Sequence, residues 1–324
     1  MLTTKFLGLT LQSPIIAGSS SLTSSYETIK SYSDAGVGAV VLKSIFEEQI
    51  SGEVDSMLGY ADSPEMFDYL SAYVKDNDLT KTITLIEECK KNLPIAVIAS
   101  INCHKKGEWI DFCSKMENAG ADAIELNIFL MPSSKNQSSA EIEAEYFEIV
   151  ASVTEKVSIP VCVKLTNRFT NHIYVVNELY KRGAKGVTMF NRFWEPDFDI
   201  DSFEIKAQTV LSNSNESRSN LRLVSQAAGE VSTIDFSVST GVHSSEDVIK
   251  YILAGASTVQ LCSVLYKDGA KFIEQANAAI KEWMEGFGYD SIDDFKARMS
   301  SKNFKESAEY QRCQFMKQFG GFKY

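Results

Sequence analysis

Two lysines, Lys43 and Lys164, and three carboxamides, Asn102, Asn127 and Asn191, each stand at the end of a short apolar run. Small residues occupy four further run ends: Ala17-Gly18-Ser19, Ser44, Thr240-Gly241 and Cys262-Ser263. Two ammonium groups brought to one mouth are costly to desolvate without a counter-charge, so the set calls for an anionic or electron-rich ligand. A lysine ending a strand can equally be a solvated surface group, and an asparagine a turn former. The setting favours chemistry. Lys164 lies inside Val161-Cys162-Val163-Lys164-Leu165 and Asn127 inside Glu125-Leu126-Asn127, both of which read as buried strands. Cys103 beside His104 is a weaker candidate, a thiol next to an imidazole, set against the reading of an ordinary loop pair. His172 and His243 stand at helix starts and read as capping or surface residues.

These residues need a scaffold that brings run ends together. Eight apolar or β-branched runs are visible, at 14–19, 37–44, 95–100, 123–128, 161–165, 186–190, 233–239 and 258–261. Each is short and nearly continuously apolar, as expected of strands covered on both faces in a parallel sheet. Amphipathic stretches alternate with them, at 25–35, 78–91, 107–119, 140–156, 172–182, 216–228, 244–254 and 269–285. Ile142, Tyr146, Ile149 and Val150 share one helical face. A phrase recurs before four of the strands: Ala35-Gly36, Ala119-Gly120, Arg182-Gly183 and Ala254-Gly255. Its glycine suits the left-handed residue that ends a helix. Eight βα units predict an α/β fold of the (β/α)₈ TIM-barrel class, with the chemistry at the C-terminal ends of the strands. The count leans on the first and seventh strands, which are the weakest. Outside the repeat lie an insertion after strand six, 191–215, and a tail, 286–324, expected to pack on the barrel (1–285) or on a partner subunit. The insertion and the loop 129–139 are expected to close the mouth. Gly36-Val37-Gly38 precedes a strand and lacks a third glycine, so it reads as a turn and not as a dinucleotide loop.

Composition narrows the partners. The 324 residues carry a formal charge of −11, which argues against a phosphate backbone as partner. No apolar run approaches the roughly 18 residues that span a bilayer. The opening MLTTKFLGLTLQSP is not expected to act as a secretory leader. Six cysteines at irregular spacing form no C-x-x-C pair and read as free thiols of a reducing cytosol. With three histidines, none beside a cysteine pair, no metal site is expected.

The motifs Leu7-Gly8-Leu9…Ser13-Pro14, Lys43-Ser44, Ile124-Glu125-Leu126-Asn127, Val161-Cys162-Val163-Lys164-Leu165 and Leu253-Ala254-Gly255-Ala256-Ser257-Thr258-Val259-Gln260 resemble the dihydroorotate dehydrogenase family of FMN-dependent barrels, over residues 1 to about 285. Phe46-Glu47-Glu48-Gln49, Phe190-Asn191-Arg192-Phe193 with Pro196-Asp197, and the stretch 240–247 are similar to a dihydroorotate dehydrogenase-like branch. The resemblance implies FMN as cofactor, hydride transfer from a CH–CH donor, a role in pyrimidine biosynthesis, a cytoplasmic homodimer and a small-molecule substrate. It implies that Ala17, Gly18 and Ser19 line the flavin. Lys164 would lie near flavin N1 and O2, while Lys43, Ser44, Asn102, Asn127 and Asn191 would face flavin or substrate. The stretches Thr240-Gly241 and Cys262-Ser263 would hold the phosphate, Gly241 and Ser263 through their backbone N–H groups.

Three departures from the family pattern stand out. The proton-accepting Cys or Ser of the loop after strand four is replaced by Leu130, or by Met131 if the loop is shifted, and neither accepts a proton. The asparagine-rich segment after strand two is absent, the sequence there reading Met57-Leu58-Gly59-Tyr60-Ala61-Asp62. Thr240 and Cys262 stand where the phosphate site usually has glycine. Two alternatives therefore accompany the oxidoreductase reading: a Schiff-base lyase or aldolase built on Lys164, and a protein that binds FMN without turnover.

Overall fold

A computed structural model describes residues 1–46, 64–102, 106–193, 195–207 and 210–303. Eight parallel strands form the core: β1 (Ile15–Ala17), β2 (Ala39–Val41), β3 (Ala96–Asn102), β4 (Ala123–Asn127), β5 (Val161–Leu165), β6 (Gly186–Met189), β7 (Asp235–Val238) and β8 (Thr258–Leu261). Each pairs with the next, and β8 pairs with β1, so the sheet is closed. Helices α1 (Tyr26–Asp34), α2 (Pro64–Asn92), α3 (Lys106–Asn118), α4 (Ser139–Thr154), α5 (His172–Lys181), α6 (Glu216–Glu230), α7 (Ser245–Ala254) and α8 (Ala270–Phe287) alternate with them. The fold is a (β/α)₈ barrel, and the weak first and seventh strands are both present. Gly36, Gly120, Gly183 and Gly255 all have positive φ, as the helix-ending phrase requires.

Strand periodicity divides the core in two. Side chains alternate across a strand, so Ile15 and Ala17 of β1 face the helices while Ile16 faces the axis. The outer set joins the helices in one large apolar cluster. The inner set at the base, Ile16, Ala39, Val41, Ile98, Ala123 and Cys162, packs against Phe6, Leu7 and Leu11. Those three come from a hairpin of strands Thr4–Phe6 and Leu9–Leu11 that the sequence reading did not foresee. It plugs the base of the barrel. Gly186 lies where it enters, and a Cβ there would meet Leu7 at 2.5 Å.

Other elements differ from the expectation. Helix α2 starts at Pro64 and not at residue 78; a proline's fixed φ and missing N–H suit a first helical turn. The insertion after β6 carries an antiparallel hairpin, Pro196–Phe198 with Ile205–Ala207. A short helix, Ser263–Asp268, separates β8 from α8. Of the tail, residues 288–303 lie against α6 and α7: Met299 N–H donates to Leu253 O, and Ser301 N–H to Ser225 O. Ile292 and Phe295 are fully buried there. The remainder of the tail, 304–324, lies outside the described residues.

Candidate functional site

Above the apolar base the inner layer turns polar. On β4 the inward positions run Ala123, Glu125, Asn127, and on β5 they run Cys162, Lys164. Glu125 is 1% exposed and the Lys164 side chain 9%, with Nζ 3.7 Å from Glu125 Oε1. The other carboxylate oxygen accepts from Gln260 Nε2 on β8 (2.6 Å) and from Thr188 Oγ1 on β6 (2.8 Å). Thr188 Oγ1 also accepts from Gln260 Nε2 at 3.2 Å. Glu125 Oε1 and Gln260 Oε1 are buried without a hydrogen-bond partner. Burial pushes the Cys162 thiol well above its usual range, with the Glu125 charge adding to the shift.

A second network crosses the strand ends. Asn191, just after β6, donates through Nδ2 to Asn127 Oδ1. Asn127 Nδ2 reaches Ser44 Oγ at 3.5 Å, and Ser44 Oγ lies 2.6 Å from Ser100 Oγ and 3.1 Å from Ser19 Oγ. Five strand ends are thus tied by side chains alone.

Over these groups lies a cavity of about 650 Å³, lined among others by Gly18, Ser19, Lys164, Asn191, Thr240, Gly241, Cys262 and Ser263. Its size falls within the range of small-molecule sites, about 300–1,000 Å³. At one end Thr240 and Gly241 both have φ of 78°. A Cβ on Gly241 would stand 2.4 Å from Ser217 N at the start of α6, so the turn fits against that helix only without a side chain. Ser212 N–H donates to Ser263 Oγ (2.9 Å), and Ser212 Oγ lies 3.0 Å from His243 Nε2. Burial lowers the His243 pKa, with Lys267 acting in the same direction. Arg192 lines the cavity and is held by Glu216, 2.9 Å from its Nε. Across the mouth, Phe129 of the loop after β4 meets Phe193 of the insertion, with ring centroids 4.8 Å apart.

Most of the residues singled out in the sequence converge here, with three corrections. Ala17 faces the helical layer and does not line the cavity. Lys43 lines a separate cavity of about 310 Å³ with Asp78 and Lys81. Strand β2 ends at Val41, and the irregular stretch after it turns Ser44 inward in place of Lys43. His172 is not a surface residue. It is buried between the rings of Phe169 and Phe190, and burial lowers its pKa. Asn102 is buried at the end of β3. Cys103 and His104, and the segment 57–62, lie outside the described residues. Leu130 is half-buried against the core and Met131 is exposed. Nearby Tyr146, its hydroxyl pushed up to about 12 chiefly by burial, stays protonated.

Sequence reasoning passed over Glu125, Gln260, Arg192 and Ser212. The first two were legible by alternation, two residues from Ala123 and from Thr258 on their strands. Nothing in the sequence joins Ser212 to Ser263.

The sequence profile described as dihydroorotate dehydrogenase matches residues 1–284. Dihydroorotate dehydrogenase A (fumarate) of Limosilactobacillus reuteri is 27% identical over 274 residues, 81% of this chain and 86% of the relative. The catalytic subunit of dihydroorotate dehydrogenase B (NAD(+)) of Thermoplasma volcanium is 27% identical over 302 residues, 90% of this chain and 96% of the relative. Subunit PreA of the NAD-dependent dihydropyrimidine dehydrogenase of Escherichia coli is 23% identical over 314 residues, 89% and 74% respectively.

Proposed function

The chain belongs to the dihydroorotate dehydrogenase family, a family of oxidoreductases, and from that premise we propose that it is an FMN-dependent enzyme taking hydride from a CH–CH donor, dihydroorotate or a related small molecule. The observation that carries this reading is the buried Lys164 ammonium in the wall of a cavity that also collects Gly18, Asn191, Gly241 and Ser263. The residues fit the cofactor. Gln260 Oε1 is a buried acceptor without a partner in the wall and suits a ring N–H. The Gly241 turn lines the same cavity with Ser263, where a phosphate would seek backbone N–H donors.

When bound, FMN supplies the hydride acceptor. Lys164 stabilises negative charge on the ring, a charge-assisted contact of roughly 1.5–3 kcal/mol. Asn127 and Asn191, fixed by their mutual hydrogen bond, orient the substrate. Phe129 and Phe193 exclude water from the mouth. A role in pyrimidine biosynthesis, a cytoplasmic location and a homodimeric assembly follow the same reading. Among the described residues Cys89, Cys162 and Cys262 carry free thiols. Among the described residues no helix is long and apolar enough to cross a membrane.

A second reading, binding of FMN without turnover, draws on Leu130, which offers no proton acceptor at the loop after β4. Against the lyase reading stands Glu125, whose carboxylate pairs with the Lys164 ammonium at 3.7 Å. The test is anaerobic. Purified protein is loaded with FMN, and flavin absorbance is followed on adding dihydroorotate, dihydropyrimidines and related ring compounds. Bleaching by one of them supports the enzyme, and bound flavin that none of them bleaches supports the binding role. Failure to retain FMN refutes both.

A further inference from the structure

The buried carboxylate of Glu125 lies beside Lys164 on the neighbouring strand. Its surroundings are arranged around its charge. Glu125 Oε2 accepts from Gln260 Nε2 at 2.6 Å and from Thr188 Oγ1 at 2.8 Å, and Thr188 Oγ1 also lies 3.4 Å from Cys162 Sγ. Gln260 in turn donates to Thr188, which leaves the threonine hydroxyl hydrogen free to point at the carboxylate. Such a cradle offers hydrogens to one carboxyl oxygen and locks its rotation. The oxygen left over, Oε1, is buried, makes no hydrogen bond and lies 3.7 Å from Lys164 Nζ. Among the described residues Glu125 is the charged partner of Lys164. A lysine stem has four rotatable bonds and substantial rotamer entropy, and nothing intrinsic to it selects one position of its ammonium.

We infer that Glu125 is a positioning residue: its carboxylate, clamped by Thr188 and Gln260, holds the Lys164 ammonium in place at the cavity wall. This rests on the proposed flavin role of Lys164 for its functional meaning, but its physical content concerns the pair alone. In Glu125→Gln the carboxamide keeps its oxygen toward Thr188 and Gln260 and turns its NH₂ toward the ammonium. The lysine then loses its place, which removes positive charge from the ring's edge.

The experiment has two arms on wild type, Glu125→Gln, Lys164→Met and the double variant. In flavin-free protein, acylation of Lys164 by acetic anhydride is followed by peptide mass spectrometry, with the other lysines as internal reference. Glu125→Gln is expected to speed it about tenfold, the factor separating a charge-assisted from a neutral contact. In FMN-loaded protein the flavin potential is titrated. Glu125→Gln lowers it, by about 30 mV for a tenfold change in relative affinity of the two flavin forms. In the Lys164→Met background the same substitution only removes a negative charge, so it raises the potential or leaves it unchanged. That reversal of sign is what a merely structural role would not produce.

Equal lowering in both backgrounds, or a rise in the wild-type background, overturns the inference, as does unchanged acylation. If Glu125→Gln does not fold, Thr188→Val, which removes one arm of the clamp, is expected to give a smaller acceleration of acylation, and none overturns the idea. Failure of the wild type to hold FMN overturns the proposed function, while the acylation arm still decides the role of Glu125.

Discussion

If Leu130 stands where a proton must be taken from the substrate, flavin reduction by dihydroorotate is slow in this chain. General base catalysis contributes about 10²–10⁴-fold, or roughly 2.7–5.4 kcal/mol of barrier. The loop offers no substitute close by. Tyr146 Oη donates to Ile128 O at 3.0 Å and lies 3.5 Å from Leu130 N, so the backbone there is pinned to a protonated phenol. Ser133 and Ser134 are exposed further along. Leu130 packs half-buried against the core, and a smaller polar side chain at the same Cα costs some of that packing but places a proton acceptor in the loop. Anaerobic stopped-flow traces of flavin bleaching are expected to be slower than in relatives with Cys or Ser at this position by two to four orders of magnitude. Leu130→Cys is expected to recover part of that deficit. Rapid bleaching by the unmodified protein that survives Cys103→Ala, His104→Ala and the paired Ser133→Ala and Ser134→Ala changes would refute the reasoning.

Three further outcomes are expected. Lys164→Met leaves Glu125 as a buried unpaired carboxylate, and should cost about 3–5 kcal/mol; a thermal melt that does not move would refute it. Gly241→Ala forces a side chain into φ of 78° and to within 2.4 Å of Ser217 N, so it should destabilise the protein by more than the roughly 1–2 kcal/mol of a left-handed alanine and weaken FMN binding in fluorescence titrations. His172 has its pKa lowered by burial, so the unfolded chain binds its proton first as pH falls through about 6.5. Stability is therefore full above that value and lost below it, by at most about 1.4 kcal/mol per pH unit. His172→Phe should flatten melting temperature against pH between 7.5 and 5.5, and an unaltered slope would count against burial as the cause.

The barrel was legible because its strands are buried on both faces and its helix ends carry glycine. Each of those signals is local. The plugging hairpin was not, because Phe6, Leu7 and Leu11 belong to a hairpin of two three-residue strands whose apolar side chains look like any short exposed segment until the barrel closes over them. Lys43 shows the limit of counting by two. Alternation from Ala39 and Val41 places it inward, but β2 ends at Val41, and the backbone that follows hands the inward position to Ser44. Glu125 was passed over for a different reason. A glutamate inside an apolar strand invites the eye to the asparagine two residues on, although the same alternation points both into the barrel.

The division of the barrel interior explains how this chain holds a costly arrangement. Burying an ammonium and a carboxylate is close to neutral at best, and replacing such a pair by apolar residues commonly stabilises a protein. The lower layer offsets this cost with Ile16, Ala39, Val41, Ile98 and Ala123 packed on the N-terminal hairpin, all nearly or fully buried. The upper layer could have continued that packing. It instead carries Glu125, Lys164, Thr188 and Gln260 at 7% exposure or less, with acceptors on Glu125 and Gln260 left unpaired. Unpaired buried acceptors are rare enough to require a cause, and of these two residues Gln260 lines the cavity that gathers Lys164, Asn191 and Gly241. On the proposed function the cause is the ligand: one that brings a donor for Gln260 and negative charge for Lys164 should raise stability by more than an apolar ligand of the same size could.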